Sequence, residues 1–243
     1  MSESSPVFMF DNSDPAMQRA YESARAAFRY FWREVARDRR RIVPALDLAC
    51  VKAPFSDVGG SDTEHMWLSD IDFDGRTVSG TLVNSPNRLR TVAAGDAVSV
   101  PLEQISDWMY AISGAAFGGY TINLMRSRMD ARERREHDAA WGLDFGDPLQ
   151  IRTATESEHA TFNENLAASL RDHLAQEPAA LSETDGNGWT LLHQEAAAGG
   201  AATVAVLLEA GADAGAVTDL GLTPLQLARA LGWDEVAALL ERA

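Results

Sequence analysis

Six polar residues, Glu64, His65, Asn84, Asp107, Asn123 and Arg126, lie within or beside segments that read as strands. Their types could serve a small ligand or a reaction. His65 and Asn84 carry the most definite reading. A neutral histidine donates from one ring nitrogen and accepts at the other, and an asparagine opposite could hold it in one orientation. A satisfied histidine at the rim of a sheet would look the same, so the pair stands as a tentative polar site with Asp107, Asn123 and Arg126. The standard catalytic constellations are missing from the sequence: it has no His-Glu-x-x-His, no Gly-x-Ser-x-Gly and no Gly-Lys-Ser/Thr phosphate loop. Metal ligation would need His65 to gather two or three partners from far along the chain. No catalytic residue, metal or cofactor is therefore expected. Cys50, the single cysteine, lies in an apolar run and reads as a buried packing thiol.

The elements that must place these residues follow from local signals. In "HMWLSDIDFDGRTVSGTLVN" the Asp74-Gly75 pair marks a two-residue hairpin. That turn predicts Phe73 opposite Arg76, Ile71 opposite Val78, Trp67 opposite Leu82 and His65 opposite Asn84. Period-two alternation then puts Trp67, Ile71, Val78 and Leu82 on one apolar face. "AGDAVSVPL" offers a further strand. Ser113-Gly114 marks a second hairpin, with Tyr110 opposite Phe117 and Trp108 covering Gly119, while Asp107 and Met109 face the other way. Upstream, Asp14 and Pro15 open a long amphipathic helix with Met17, Tyr21, Ala24, Phe28, Phe31 and Val35 on one side. Its basic end, Arg37 to Arg41, reads as a solvated helix terminus rather than a nucleic-acid patch. Arg40→Ala is thus expected to matter little. Asp130 with Glu133 has capping-box spacing, and His137 beyond it reads as solvated.

The C-terminal third has a different grammar. Thr190 and Thr223, Leu192 and Leu225, Gly199 and Gly232, and Leu207 and Leu240 recur at one common spacing of about 33 residues. This segment resembles the ankyrin repeat. It departs from the pattern where Gln226 replaces the usual histidine. The resemblance implies that His193 is structural, bonding within and between repeats. Because so few repeats cannot bury enough surface alone, 158–177, with Phe162, Leu166, Leu170 and Leu174 on one face, reads as a degenerate capping repeat. His159 and His173 read as surface residues. Trp189 and Trp233 are assigned to an interaction surface, although Trp189→Ala is also expected to loosen the stack.

"EHMWLSDI", "GTLVNSP", "GDAVSVPLEQISDWMY", "GGYTINLMRSR" and "HDAAWGLDFGDP" together resemble the YegJ-like family of bacterial domains, some of which are followed by ankyrin-like repeats. The resemblance implies domains at 8–148 and 158–243 joined by a linker at 149–157. It brings no activity with it. The expected fold class is α+β: a long helix on a curved, mostly antiparallel sheet, with barrel-like closure as one outcome, followed by an ankyrin-type stack.

Net charge is −15, and the C-terminal third is the more acidic part. Such a surface repels nucleic acid and anionic membranes and suits a basic protein partner. No signal peptide or membrane span is read, and the cytoplasm is the expected location. Two classes of function stay open. One is a non-catalytic interaction protein, of which a regulator or a toxin-neutralising protein would be examples. The other is a small-ligand protein or enzyme using the polar residues of the first domain. Oligomeric state is left open.

Overall fold

Asp14 begins the first helix as its residue type predicts. The computed structural model describes residues 14–60, 62–154 and 156–243, without the side chains of 156–162; residues 8–13 of the expected first domain and the side chains of His159 and Phe162 lie outside the described residues. Asp14 Oδ1 accepts from the Ala16 amide at 2.9 Å, and Pro15 fills the first position of α1 (Pro15–Ala26). The long helix expected here is two helices. The chain leaves helical geometry at Ala27 (φ −99°, ψ 2°) and restarts as α2 (Phe28–Asp38). Neither proline nor glycine marks the break, so local propensity gave no sign of it.

Six strands follow in one sheet: β1 (Leu46–Ser56), β2 (Thr63–Phe73), β3 (Thr77–Leu82), β4 (Ala97–Pro101), β5 (Asp107–Ile112) and β6 (Ala115–Gly118). Their order is β4-β3-β2-β1-β5-β6, and every pairing is antiparallel. The sheet is open, which corrects the barrel-like alternative. Its two edges are satisfied separately. At β6 the amides of Ala116 and Gly118 donate to the carbonyls of Asp144 and Arg152, both at 2.9 Å. At β4 the strand is short and ends on Pro101, which has no amide proton to offer.

The register of the first hairpin differs from the expected one. Phe73 pairs with Val78, and Leu68, not Trp67, pairs with Leu82. Asp74 holds a longer turn, its Oδ1 accepting from the amides of Arg76 (2.8 Å) and Thr77 (2.7 Å). An irregularity between Ser69 and Asp72 then slips the ladder, with Asp70 at φ +53°. A bulge adds one residue and exchanges the faces on either side of it. Leu68, Ile71, Phe73 and Val78 consequently share the core, and Trp67 lies on the opposite face. The second hairpin has the expected pairing, Tyr110 with Phe117, and their rings stack at 4.9 Å. The Trp108 ring rests on Gly118 rather than Gly119: a Cβ at Gly118 would lie 2.4 Å from it.

α2 covers one face of the sheet, with Phe28 and Trp32 edge-on to Phe73 at 5.5 and 5.4 Å. The other face gathers Cys50, Met109, Ile122 and Phe145, beneath α3 (Tyr120–Ser127) and α4 (Ala131–Trp141). Asp130 and Glu133 complete the capping box of α4. The remaining helices are α5 (Glu156–Gln176), α6 (Leu191–Ala198), α7 (Ala201–Glu209), α8 (Pro224–Ala230) and α9 (Asp234–Leu240). α6 lies against α2, and one hydrophobic cluster runs from the sheet through α2 into α6 to α9.

Candidate functional site

His65, Asp107 and a residue that the sequence reading passed over, Lys52, meet at the middle of β1. Lys52 pairs across the sheet with Trp67 on β2 and Asp107 on β5. His65 pairs with Pro54, stacks on Tyr21 of α1 at 5.2 Å, and shares a 2.9 Å hydrogen bond between Nδ1 and the Ser106 hydroxyl. That hydroxyl donates to the Lys52 carbonyl at 3.1 Å. With its proton so committed, Oγ accepts from Nδ1–H, and His65 is not a base toward Ser106. Burial, with the Lys52 charge adding to it, lowers His65 to about 4, so the ring is neutral near pH 7.

Asp107 is fully buried and serves as a helix cap supplied from another strand. Its oxygens accept from the Tyr120 amide (2.9 Å), the Thr121 amide (2.7 Å) and the Thr121 hydroxyl (2.6 Å), the first residues of α3. Gly119, the residue before the helix, has no side chain for this task. Burial pushes the carboxyl upward, against the pull of Thr121 and Lys52.

Asn123 and Arg126 form a second, separate cluster. Arg126 grips both oxygens of Asp138 at 2.8 Å, donates to Asn123 Oδ1 at 2.6 Å and to the Gly146 carbonyl at 3.0 Å. Its guanidinium also lies 5.2 Å from the centre of the Phe145 ring. These contacts tie α3 to α4 and to the loop covering β6. They account for the arginine structurally. His137, expected in solvent, is tucked beside them: Nδ1 bonds Asp138 at 2.9 Å, and its ring meets Phe145 at 5.4 Å.

Asn84 joins neither cluster. It is exposed beyond the end of β3, and the longer turn after Phe73 shifts the register away from the expected His65–Asn84 pair, which is thereby corrected. Glu64 is structural, accepting from the amides of Asn87, Arg88 and Leu89.

Trp189 and Trp233 are buried (3% and 7% exposed) against the chain itself, which corrects their assignment to an outward interaction surface. Trp189 meets Phe73 at 6.4 Å. Trp233 meets Tyr30 at 5.9 Å, with the guanidinium groups of Arg29 and Arg33 at 5.2 and 5.4 Å. Arg40 is not a free surface charge either; it forms an ion pair with Glu195. His193 does what the repeat requires. Its Nδ1 accepts from the Thr190 amide at 3.2 Å, and Nε2–H reaches the carbonyls of Ala216 and Leu222, both at 3.1 Å. Gln226 keeps only the cap, accepting from the Thr223 amide at 2.8 Å.

Depressions of about 280 and 900 Å³ lie on α5, α7 and α9, away from both clusters. Among the described residues no group of three or more His, Cys, Asp or Glu side chains could hold a metal ion. Nor is any described helix long and apolar enough to cross a membrane. Ser106, Thr121 and Asp138 could not be found from sequence, because each is identified by a long-range contact. Lys52 had a signal: it is the only lysine in the chain.

The chain is similar to NMB1133/NMB1171 of Neisseria meningitidis serogroup B, a protein named for an ankyrin repeat, with 44% identity over 99% of each. It is also similar to the uncharacterized protein YegJ of Escherichia coli K12, at 39% identity over 32% of this chain and 49% of that protein. An ankyrin repeat matches 187–219, and the family described as uncharacterized protein conserved in bacteria (DUF2314) matches 14–145. This chain, a DUF2314 domain with an ankyrin segment bound to its second helix, therefore belongs to that family.

Proposed function

We propose that this chain is a non-catalytic, cytoplasmic protein-interaction protein whose external partner is a basic protein surface met by the outer side of the ankyrin segment. One observation carries this reading. Glu64, Asp107, Asn123 and Arg126 in the first domain are engaged in capping and clamping, whereas Glu183, Asp213, Asp234 and Glu235 stand exposed on the ankyrin helices and loops. The side of α6 that carries Glu195 is already taken by α2, which leaves the outer side for a partner. Domain limits at 8–148 and 158–243 fit this division of labour. A regulator or a neutralising protein would use such a surface in the same way. Long-range attraction between exposed charges weakens as salt rises.

The test is capture of partners from a bacterial lysate at low and moderate salt, by wild type and by a Glu183→Lys, Asp213→Lys, Glu235→Lys variant. A specific partner that is lost from the variant and weakened by salt is the expected result. A partner held equally by the variant, or binding of a small molecule with no protein captured, would overturn the reading.

A further inference from the structure

Lysine occurs once among the 21 lysines and arginines of this chain. Everywhere else a cation is needed, arginine supplies it. The two are not equivalent: arginine stays charged and presents a rigid fork, whereas an amine loses its proton readily when desolvated and then becomes a nucleophile. The one lysine is on a central strand, not on the surface where a lysine ordinarily serves solubility.

Its surroundings leave the amine uncommitted. Nζ lies 5.5 Å from the centre of the Trp67 ring and, among the described residues, donates no hydrogen bond. The carboxylate across the ladder, Asp107, spends its oxygens on Tyr120 and Thr121. Desolvation lowers the pKa of Lys52, against the charge of Asp107 and the influence of Cys50; the neighbouring His65 adds no charge near neutrality. The site is not sealed. Lys52, His65 and Trp67 are partly exposed, and Trp141, edge-on to Trp67 at 6.2 Å, is exposed. On the same face the ladder continues through Ser69 opposite Thr81, two small side chains.

We propose that Lys52 is a nucleophilic amine and that this face of the sheet takes small uncharged aldehydes as imines, their apolar parts resting on Trp67 and Trp141. The unprotonated Nζ adds to the carbonyl carbon, and a proton passes from nitrogen to oxygen to give a carbinolamine. Loss of water then forms the C=N bond, with no net oxidation or reduction. The acidic chain, at −15, disfavours anionic carbonyl compounds, which is why the class is uncharged. This inference does not rest on the ankyrin surface.

The sole lysine makes the experiment clean, since the only other amine of the chain is its N-terminus. The folded protein is treated with propanal and cyanoborohydride from pH 6 to 10, and labelling at Lys52 is followed by peptide mapping. Labelling of Lys52 faster at pH 7.5 than in the urea-unfolded chain is expected, since a lowered pKa leaves more of the amine neutral. The labelling midpoint should lie below that of the unfolded chain and move lower still in Asp107→Asn, checked for folding by its melting. A folded rate equal to or below the unfolded rate, or labelling only after unfolding, would overturn the proposal. Neither readout involves a partner protein, so this proposal and the interaction reading fail separately.

Discussion

Arg40, at the end of α2, forms an ion pair with Glu195 of α6, 155 residues further along the chain. Glu195 is nearly buried, at 5% exposure, and its other oxygen accepts from the Thr203 hydroxyl. Removing the arginine leaves that carboxylate without its counter-charge. A fully buried pair costs about 3–5 kcal/mol when one partner is lost. Arg40 is 26% exposed, so roughly 2 kcal/mol is expected for Arg40→Ala. Urea denaturation measures it, and a cycle with Glu195→Gln should show that the two losses do not add. A change within about 0.5 kcal/mol would mean the pair is idle, as for an ordinary surface residue.

The β2–β3 turn is a second point of attachment. A Cβ placed on Gly75, whose φ is +101°, would lie 2.7 Å from both Leu222 and Leu227. Gly95, at φ +88°, has nothing within 4 Å. Gly95→Ala should therefore cost only the backbone strain, about 1 kcal/mol, and Gly75→Ala that plus the overpacking, roughly 2–4 kcal/mol. Equal losses in paired thermal melts would show that the turn does not press on the ankyrin helices.

Acid should destabilise the fold before the carboxylates that folding lowers are titrated. His65 binds its proton at about 4 when folded and near 6.5 when unfolded, so between these values the unfolded chain holds more protons. Stability is then full above about pH 6.5 and falls as pH drops toward 4, by about 2–3 kcal/mol from this ring after allowing for its partial exposure. His193 is also lowered, chiefly by burial, and acts in the same direction. Glu64 and Asp144 are lowered as carboxylates by the hydrogen bonds and charges they meet, so their losses come at still lower pH. Urea unfolding at pH 7.5, 6 and 5 should show the decline. His65→Gln should flatten it, and an unchanged slope in that variant would remove His65 as the cause.

Arg126 is a clamp that lysine cannot replace. Its planar fork reaches Asp138, Asn123 and the Gly146 carbonyl together, and an ammonium offers a single point charge instead. Arg126→Lys should cost roughly 2–4 kcal/mol and speed amide exchange in the loop over β6. Retention of wild-type exchange at Ala116 and Gly118, which donate to that loop, would refute the clamp.

What the sequence determined by itself is the set of features that form within a few residues. Asp14 with Pro15, Asp130 with Glu133 and Thr190 with His193 are caps, decided by a side chain and the amides two or three positions away. The Ser113-Gly114 turn fixed Tyr110 opposite Phe117 because no irregularity interrupts that short hairpin. Tertiary structure decided the rest. The bulge at Asp70 carries no glycine or proline, yet it exchanged Trp67 for Leu68 in the core, and the longer turn held by Asp74 separated His65 from Asn84. Asp107 caps a helix from another strand, and Arg40 gained its ion pair and Trp233 its buried place only once α6 to α9 closed on α2. Each depends on which distant surface arrives, and a pattern of neighbouring residue types holds no record of that.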